Sequence, residues 1–326
     1  MYHQAGSSDP YAAFRSASDA KPRYGSMAQS LLPQSNCERK RINILPICVA
    51  IFLPWLTFCL VCAMLSFEMH YKKADTCRTL SIIMSIVFGV GIVLDSLWIW
   101  YKRRAGVTGV GSGSWIMFIC VSCLLATLSG LVVGNYNFLQ HSEIFYDVMA
   151  LNSYDAIDPS KVQGQEFMDA GRMNFVNGTR VDLARAMSFR NMETYCVAPI
   201  SNAAADSNAT LSNYDFWAVG KDCCSLTLGD VAFQCGPVNN QKARGGIRLM
   251  RNEERAFYRL AVQQAESSYQ IKATHPLFFH WVEDPVDQTY QYQREAFQNY
   301  FAAMSGYYIV QMLLTYGATV AFKAMS

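Results

Sequence analysis

The sequence predicts an all-α membrane protein with four transmembrane helices and a large mixed, disulfide-linked domain between the third helix and the fourth. Three observations predict this fold class: the apolar residues fall in four long blocks, a polar stretch separates the last two blocks, and four cysteines cluster in that stretch. The net charge of +2 and the mean hydropathy of +0.08 conceal this pattern, because they average over very different regions.

Each apolar block is long enough to cross a bilayer as a helix. A hydrocarbon core about 30 Å thick needs about 20 apolar residues in an α-helix. Barrel strands are about half as long and alternate polar with apolar residues, which these blocks do not. The predicted transmembrane helices are Leu45–Phe67, Leu80–Tyr101, Ser114–Phe138 and Ala302–Phe322.

The chain divides accordingly. Residues 1–38 are predicted to be a disordered cytoplasmic tail, because they are rich in Ser, Ala, Gln and Pro and hold little to bury. This tail lacks the basic and then apolar pattern of a cleaved signal peptide, which favours the first helix as a signal anchor and leaves a transit peptide as the alternative. Residues 39–138 hold the first three helices, 139–301 an exoplasmic domain, and 302–326 the fourth helix and a short cytoplasmic end.

Basic residues predict the orientation in a plasma membrane or endomembrane. One face of the membrane is flanked by the basic runs 39–41 and 102–104 and by Lys323, and the other face is flanked by fewer basic residues. This bias favours cytoplasmic termini and an exoplasmic large loop. Two sequons in that loop, Asn177-Gly178-Thr179 and Asn208-Ala209-Thr210, predict N-glycosylation at Asn177 and Asn208.

The large loop contains an even number of cysteines, which suits an oxidising compartment. Adjacent cysteines do not readily bond to each other, so Cys223 and Cys224 are expected to pair with Cys196 and Cys235 in one order or the other. The alternatives are four reduced cysteines or a metal site, although the paired two-residue spacing of zinc ligands is absent.

The four apolar blocks, the short first loop and the Cys223-Cys224 pair in a large second loop resemble the tetraspanin plan. This resemblance covers residues 39–326 in architecture. It implies a disulfide-linked second loop and cytoplasmic ends. The chain departs from the family pattern in two ways: the pair is followed by Ser225, where tetraspanins have glycine, and Cys196 lies upstream of the pair. We therefore transfer no binding residues from the family.

Local signals predict three elements in and around the loop. Asp284 followed by Pro285 is typical of a helix start, so the fourth helix is expected to begin there and continue into the membrane. Helix-spaced apolar residues predict another helix over Ile247–Ile271. The third membrane helix is expected to extend upward past residue 138. Short apolar runs between residues 175 and 238 predict a small irregular or β-containing subdomain.

Two rows of small residues predict that the second and third membrane helices pack closely together. Residues at four-residue intervals share a helix face, and small residues there let backbones approach. The rows are Ser81, Ser85 and Gly89 in the second helix and Ser122, Ala126, Gly130 and Gly134 in the third. Pro54 predicts a kink in the first helix.

Asp95 is the strongest candidate for function inside the membrane, because a carboxylate there is costly unless it is paired, protonated or hydrated. Its position near Lys102 and Trp98 also suits an interfacial structural role. Gln311 is the other notable polar residue within the apolar blocks. Cys37 and Cys48, at the cytoplasmic edge, are candidates for S-acylation, with unmodified thiols as the alternative.

No catalytic, cofactor or metal motif stands out. His275, His280, Glu283 and Asp284 lie close in sequence but match no standard metal spacing. The charge pattern gives no support for nucleic-acid binding. The sequence therefore predicts a non-enzymatic multi-pass protein without a cofactor, in contact with membrane lipid. Its domain is expected to bind other membrane or extracellular proteins or to organise the membrane, as a homo- or hetero-oligomer. The alternative is a small transporter or channel, or an auxiliary subunit of one, that uses Asp95.

Overall fold

The computed structural model describes residues 44–106, 113–202, 211, 213–227 and 230–325. The predicted disordered tail, Cys37 and Asn208 lie outside these residues. The helices are α1 (Ile44–Ser66), α2 (Glu68–Lys72), α3 (Ala74–Arg104), α4 (Gly113–Asn137), α5 (Glu143–Met149), α6 (Asn252–Tyr269) and α7 (Pro285–Met325), and a π-helical turn (Phe138–Ser142) joins α4 to α5.

The predicted all-α class with four membrane spans is wrong. The described residues contain a large mixed sheet, and three of their helices are long and apolar enough to cross a membrane: Ile44–Ser66, Ala74–Arg104 and the continuous helix Trp115–Met149. The fourth predicted segment is helical within α7 but falls short on hydropathy. Polar and aromatic residues interrupt the apolar residues of this segment and lower its mean hydropathy: Tyr307, Tyr308, Gln311, Thr315 and Tyr316.

The C-terminal half of α7 nevertheless lies alongside the apolar helices. The indole nitrogen of Trp55 donates to the carbonyl of Met304 at 3.2 Å, and the rings of Phe58 and Tyr307 stack with centroids 4.3 Å apart. Phe322 contacts Trp115 at the far end, with ring centroids 5.1 Å apart. The helices α1, α3, α4 and α7 thus form a bundle.

The sheet has eight strands and is mixed. Its order is β1-β2-β9-β10-β6-β5-β3, and β4 also pairs with β5. The β1–β2 and β10–β6 pairs are parallel and the other pairs are antiparallel. The strands are β1 (Asn152–Ile157), β2 (Ala170–Phe175), β3 (Thr179–Val181), β4 (Met187–Asn191), β5 (Glu193–Asn202), β6 (Phe216–Lys221), β9 (Gly245–Arg248) and β10 (Leu277–Val282); β7 (Cys224–Thr227) and β8 (Asp230–Phe233) form a separate hairpin.

Successive residues of a strand point to opposite faces of the sheet. Each face of this sheet packs in a buried apolar cluster of its own. On one face Cys196, Ala198 and Phe279 pack with Val231 and Phe233 of the β8 hairpin strand. On the other face α6 covers the sheet, and its buried residues Tyr258, Ala261, Val262 and Ala265 pack on Tyr195, Val197, Trp217 and Val219. This two-layer arrangement gives the domain a core of its own.

The structure contains more strands than predicted, and one predicted helix begins at a later residue. The predicted helix Ile247–Ile271 is helical only over Asn252–Tyr269, because Ile247 and Arg248 belong to β9. The β structure predicted between residues 175 and 238 is part of a sheet that runs from β1 to β10. By contrast, α7 begins at Pro285 as predicted, and the Asp284 carboxylate accepts from the backbone nitrogen of Val286 at 2.8 Å.

Two helical stalks connect the domain to the bundle. One is the extension of α4 through the π-helical turn into α5, and the other is the first half of α7. Asn137 donates to the carbonyl of Ala296 at 3.0 Å, and His141 lies 3.2 Å from the Glu295 carboxylate. Because the stalks are bonded to each other, they hold the domain in a fixed position above the bundle.

Candidate functional site

The four cysteines of the domain form two disulfides next to each other. Cys196 bonds to Cys224 and Cys223 bonds to Cys235, which is one of the two orders that the sequence left open. The sulfur atoms of Cys196, Cys223 and Cys235 all lie within 4.8 Å of one another. Such a group has the spacing of metal ligands, but the thiolate is the form of cysteine that binds metals, and these sulfurs are held in disulfides.

Gly220 makes this convergence of sulfurs sterically feasible. It is the β6 partner of Cys196 in the β5–β6 register. A Cβ atom at Gly220 would lie 2.5 Å from the sulfur of Cys223 and 2.8 Å from that of Cys235, which is closer than real contacts allow. Because Gly220 has no side chain, the Cys223–Cys235 disulfide can lie against β6 at the position that pairs with Cys196 of β5.

A cavity of about 530 Å³ opens beside the Cys223–Cys235 disulfide, between the end of the sheet and α7. We call it the disulfide cavity. A second cavity of about 310 Å³ adjoins it under α6. Gly220, Ile247, His280 and Tyr292 line both. The disulfide cavity is lined by Val219, Gly220, Cys223, Cys235, Gly236, Pro237, Ile247, His280, Trp281, Val282, Glu283, Gln288 and Tyr292.

His280 is the central titratable group of both cavities. Burial lowers the pKa of its imidazole from the ordinary value of 6.5, although the negative charge of Glu254 opposes this. A histidine with a lowered pKa is neutral at pH 7 and can accept a proton. His280 is therefore placed to act as a base toward a molecule that enters either cavity.

The adjoining cavity holds a network of charges. Lys221 lies 2.7 Å from the Glu193 carboxylate and 3.2 Å from the Glu254 carboxylate. Nearby, the buried hydroxyl of Tyr258 has no hydrogen-bond partner among the described residues, and burial raises its pKa, with Glu254 contributing further. Arg251 joins this network, since it also reaches Glu254, at 3.5 Å.

Arg248 is a buried cation near the same cavity. Its Nη1 atom has no hydrogen-bond partner within the described part of the chain. Burial and, to a lesser extent, the nearby charge of Arg255 lower the pKa of its guanidinium to about 10. The guanidinium lies 5.7 Å from the ring centroid of Phe279, so a cation–π contact replaces part of its lost hydration.

The cluster of His275, His280, Glu283 and Asp284 does not form one group. His280 and Glu283 line the disulfide cavity, whereas Asp284 caps α7. The backbone nitrogen of His275 donates to Asp215 at 2.9 Å. Asp215 also accepts from Gly164 at 2.8 Å, so this buried carboxylate ties two loops together. Sequence reasoning missed Asp215, and an acid just before a buried apolar strand was the available signal.

The predicted modification sites differ in position. Asn177 is exposed in the turn between β2 and β3, where Gly178 has a φ of 93°, and its side chain accepts from Arg244. An exposed turn is accessible to a glycosylating enzyme. Cys48 is exposed near the start of α1. Glycosylation and acylation themselves stay predictions.

The second and third membrane helices, α3 and α4, pack closely together as predicted, but the row of small residues in α4 faces a different helix. A Cβ at Gly130 or Gly134 would meet Val61 or Leu65 of α1, and Ala126 lies in a buried cluster with residues of α1, so this row of α4 faces α1. Ser122 is also buried. In α3, Ser81 and Ser85 donate to carbonyls of their own helix, and Gly89 has no neighbour within 4 Å. Gly91 of α3 instead approaches Cys120 of α4.

Asp95 and Gln311 are both buried but lie in different contacts. Asp95 is 8% exposed, and its Oδ2 atom has no hydrogen-bond partner among the described residues. Gln311 donates to the carbonyl of Ala50 at 2.7 Å and so links α7 to α1. The two side chains therefore do not form a shared polar site.

No protein-family model matches the chain, and comparisons with curated proteins and with solved structures also find no match.

Proposed function

We propose that this is a non-enzymatic multi-pass membrane protein that presents a disulfide-linked domain for binding to other membrane or extracellular proteins. The observation that carries the proposal is α7, a single helix of 41 residues that begins at the end of the strand domain and lies along the bundle. A continuous helix fixes the distance and the orientation between the two parts, which suits a domain held out for recognition.

Contacts at the base of the domain support the same proposal. The first loop touches both stalks: the Tyr71 hydroxyl donates to Asp147 at 3.0 Å, and the Phe67 ring stacks on Phe297 with centroids 4.7 Å apart. Met192, in the turn between β4 and β5, is 98% exposed. The domain is thus restrained at its base, and it exposes a methionine whose flexible side chain suits an adaptable protein contact.

The proposed orientation places the domain on the exoplasmic side and the C-terminal end of α3 on the cytoplasmic side. It is supported by two disulfides, which persist in oxidising compartments. The exposed side chain of Asn177 and the basic residues at the C-terminal end of α3 agree with this orientation. Membrane organisation of the tetraspanin kind is the form of this function that the sequence resemblance favours.

Site-specific photocrosslinking tests the proposal. A photoreactive residue at Met192 of the full chain, irradiated on intact cells, should give a discrete adduct with another membrane or extracellular protein. A photoreactive residue at Val132, which is 71% exposed on the bundle, is the matched control and should not give that adduct. Absence of any adduct from Met192 and from Met168, which is 57% exposed, would contradict the proposal.

Asp95 supports a second candidate, a small transporter or channel or an auxiliary subunit of one. The specific observation that favours it is the buried carboxylate of Asp95, whose Oδ2 atom has no hydrogen-bond partner among the described residues. Reconstituted full-chain protein should then carry an ion flux across vesicles that Asp95→Asn abolishes. Under the main proposal no flux appears, and Asp95→Asn leaves the Met192 adduct unchanged.

A further inference from the structure

We propose that the paired disulfides form a redox-active site whose substrate is a dithiol, and that its two-electron reduction leaves a Cys196–Cys235 disulfide and a vicinal dithiol at Cys223 and Cys224. The inference goes beyond the binding function and does not depend on it. Each protein molecule would react once with the dithiol, and the reaction would change the disulfide pairing of the domain.

The first argument is the convergence of the sulfur atoms. Thiol–disulfide exchange requires a thiolate to reach the sulfur of another disulfide. The sulfur of Cys235 lies within 4.8 Å of the sulfur of Cys196, which belongs to the other disulfide. A small movement of one side chain is therefore enough to bring the two sulfurs into contact, and Gly220 leaves the space beside Cys235 free of a Cβ atom.

The second argument is access. Cys223 is half-buried, and Cys223 and Cys235 both line the disulfide cavity. Cys196 is fully buried and does not line the cavity. An entering dithiol thus meets the Cys223–Cys235 bond first, and the second disulfide is reached only from inside the domain.

The third argument is a base beside the entry point. His280 lines the disulfide cavity and interacts with the backbone of Val219, whose neighbour Gly220 lies against the disulfide. Its imidazole can take the proton of an entering thiol, because burial lowers its pKa and keeps it neutral. The thiolate is the reactive form of the thiol.

The reaction balances in three exchanges. The first thiolate of the dithiol bonds to the sulfur of Cys223, and Cys235 leaves as a thiolate. That thiolate bonds to the sulfur of Cys196, and Cys224 leaves. The second thiol of the dithiol then attacks the dithiol's other sulfur, which is bonded to Cys223 in the mixed disulfide, and Cys223 leaves as a thiolate. The dithiol loses two electrons and two protons and becomes a cyclic disulfide, while the protein gains two thiols.

Differential alkylation of the full chain in nanodiscs tests the proposal. Free thiols such as Cys48 are first blocked with unlabelled N-ethylmaleimide. One equivalent of dithiothreitol is then added at pH 7, new thiols are blocked with heavy N-ethylmaleimide, and the disulfides are mapped by mass spectrometry. We expect heavy label on Cys223 and Cys224 and a peptide crosslinked through Cys196 and Cys235.

Two other results would overturn the proposal. Heavy label on Cys223 and Cys235 with Cys196–Cys224 intact would mean that no internal exchange takes place. Four cysteines that stay oxidised until the domain unfolds would mean that the cavity does not admit the dithiol. The double variant Cys196→Ala/Cys224→Ala removes the acceptor disulfide, and in it the label should move to Cys223 and Cys235.

The role of His280 has its own control. His280→Gln should slow the first labelling about 10-fold or more, because general-base assistance contributes at least that much in comparable proton transfers. His275→Gln is the matched variant, since His275 does not line the disulfide cavity, and it should leave the rate unchanged. Equal labelling rates in the wild type and in His280→Gln would show that His280 does not act as the base.

Discussion

In the strand domain the large apolar side chains turn inward, as Trp217 and Phe279 do, whereas in the bundle many turn outward, as Leu94 and Val132 do. The two regions are thus built for different solvents. Water drives apolar burial in the domain at roughly 25 cal/mol per Å². Lipid gives no such drive, so the bundle relies on close contact between small residues such as Gly134 and the facing helix.

The largest expected difference between the regions comes from their tryptophans. Trp217 is fully buried between the sheet and α6, whereas Trp98 on α3 is 56% exposed. Trp217→Ala should destabilise the domain by about 3–5 kcal/mol, the usual cost of such a core truncation. Trp98→Ala should leave it unchanged. Urea unfolding of the full chain in micelles, followed by near-UV circular dichroism, measures both, and similar losses would break the comparison.

The disulfides should matter to the domain and not to the bundle. The Cys196–Cys224 bond joins residues 28 apart in sequence, and removing a bond of this kind costs about 2–4 kcal/mol. Cys196→Ala/Cys224→Ala should therefore make the domain sensitive to limited proteolysis at lower urea concentrations. Cys59→Ala/Cys62→Ala, which removes two free thiols of α1, is the matched control. Equal sensitivity of the two double variants would contradict the expectation.

Glycine substitutions sharpen the account of the bundle. A Cβ at Gly134 would lie 2.9 Å from the Cβ of Leu65, so Gly134→Ala overpacks the contact between α4 and α1 and should cost about 1–3 kcal/mol. Gly89→Ala meets no heavy atom within 4 Å and should be neutral or slightly stabilising. Thermal unfolding in nanodiscs compares them, and the reverse order would refute this packing.

The smallest expected effect is the pH dependence of the domain. Burial lowers the pKa of His280 in the folded state, so the unfolded chain binds its proton more tightly. The free energy of unfolding should therefore fall as the pH drops through about 6.5. His280→Gln should remove this part of the dependence, and His275→Gln should retain it. Urea midpoints between pH 5 and pH 8 measure it; an identical slope in His280→Gln would exclude His280 as its source.

Local signals in the sequence predicted what local chemistry determines. The start of α7 was predictable because Asp284 and Pro285 are adjacent and act on the same first turn. The extension of the third apolar helix was predictable from the absence of breakers. The hydropathy shortfall in α7 was overlooked because Tyr307 and Gln311 lie among strongly apolar neighbours.

The sheet and the cavity could not be predicted in the same way. The parallel pair of β10 with β6 joins Phe278 to Trp217 across a distant part of the chain, and no local pattern encodes that partner. The disulfide cavity combines Gly220, His280 and Tyr292 from three separate elements. The choice between the two disulfide orders likewise had no local signal, and the structure pairs Cys196 with Cys224 and Cys223 with Cys235.

Labelling of Met192→Cys on intact cells tests the central claim most directly, namely that the domain lies outside a lipid-embedded bundle. Met192 is almost fully exposed in the turn between β4 and β5, and the four domain cysteines are in disulfides. An impermeant maleimide should label the variant before permeabilisation and leave the wild-type domain unlabelled. Labelling of Met192→Cys only after permeabilisation would place the domain on the cytoplasmic side and contradict the account.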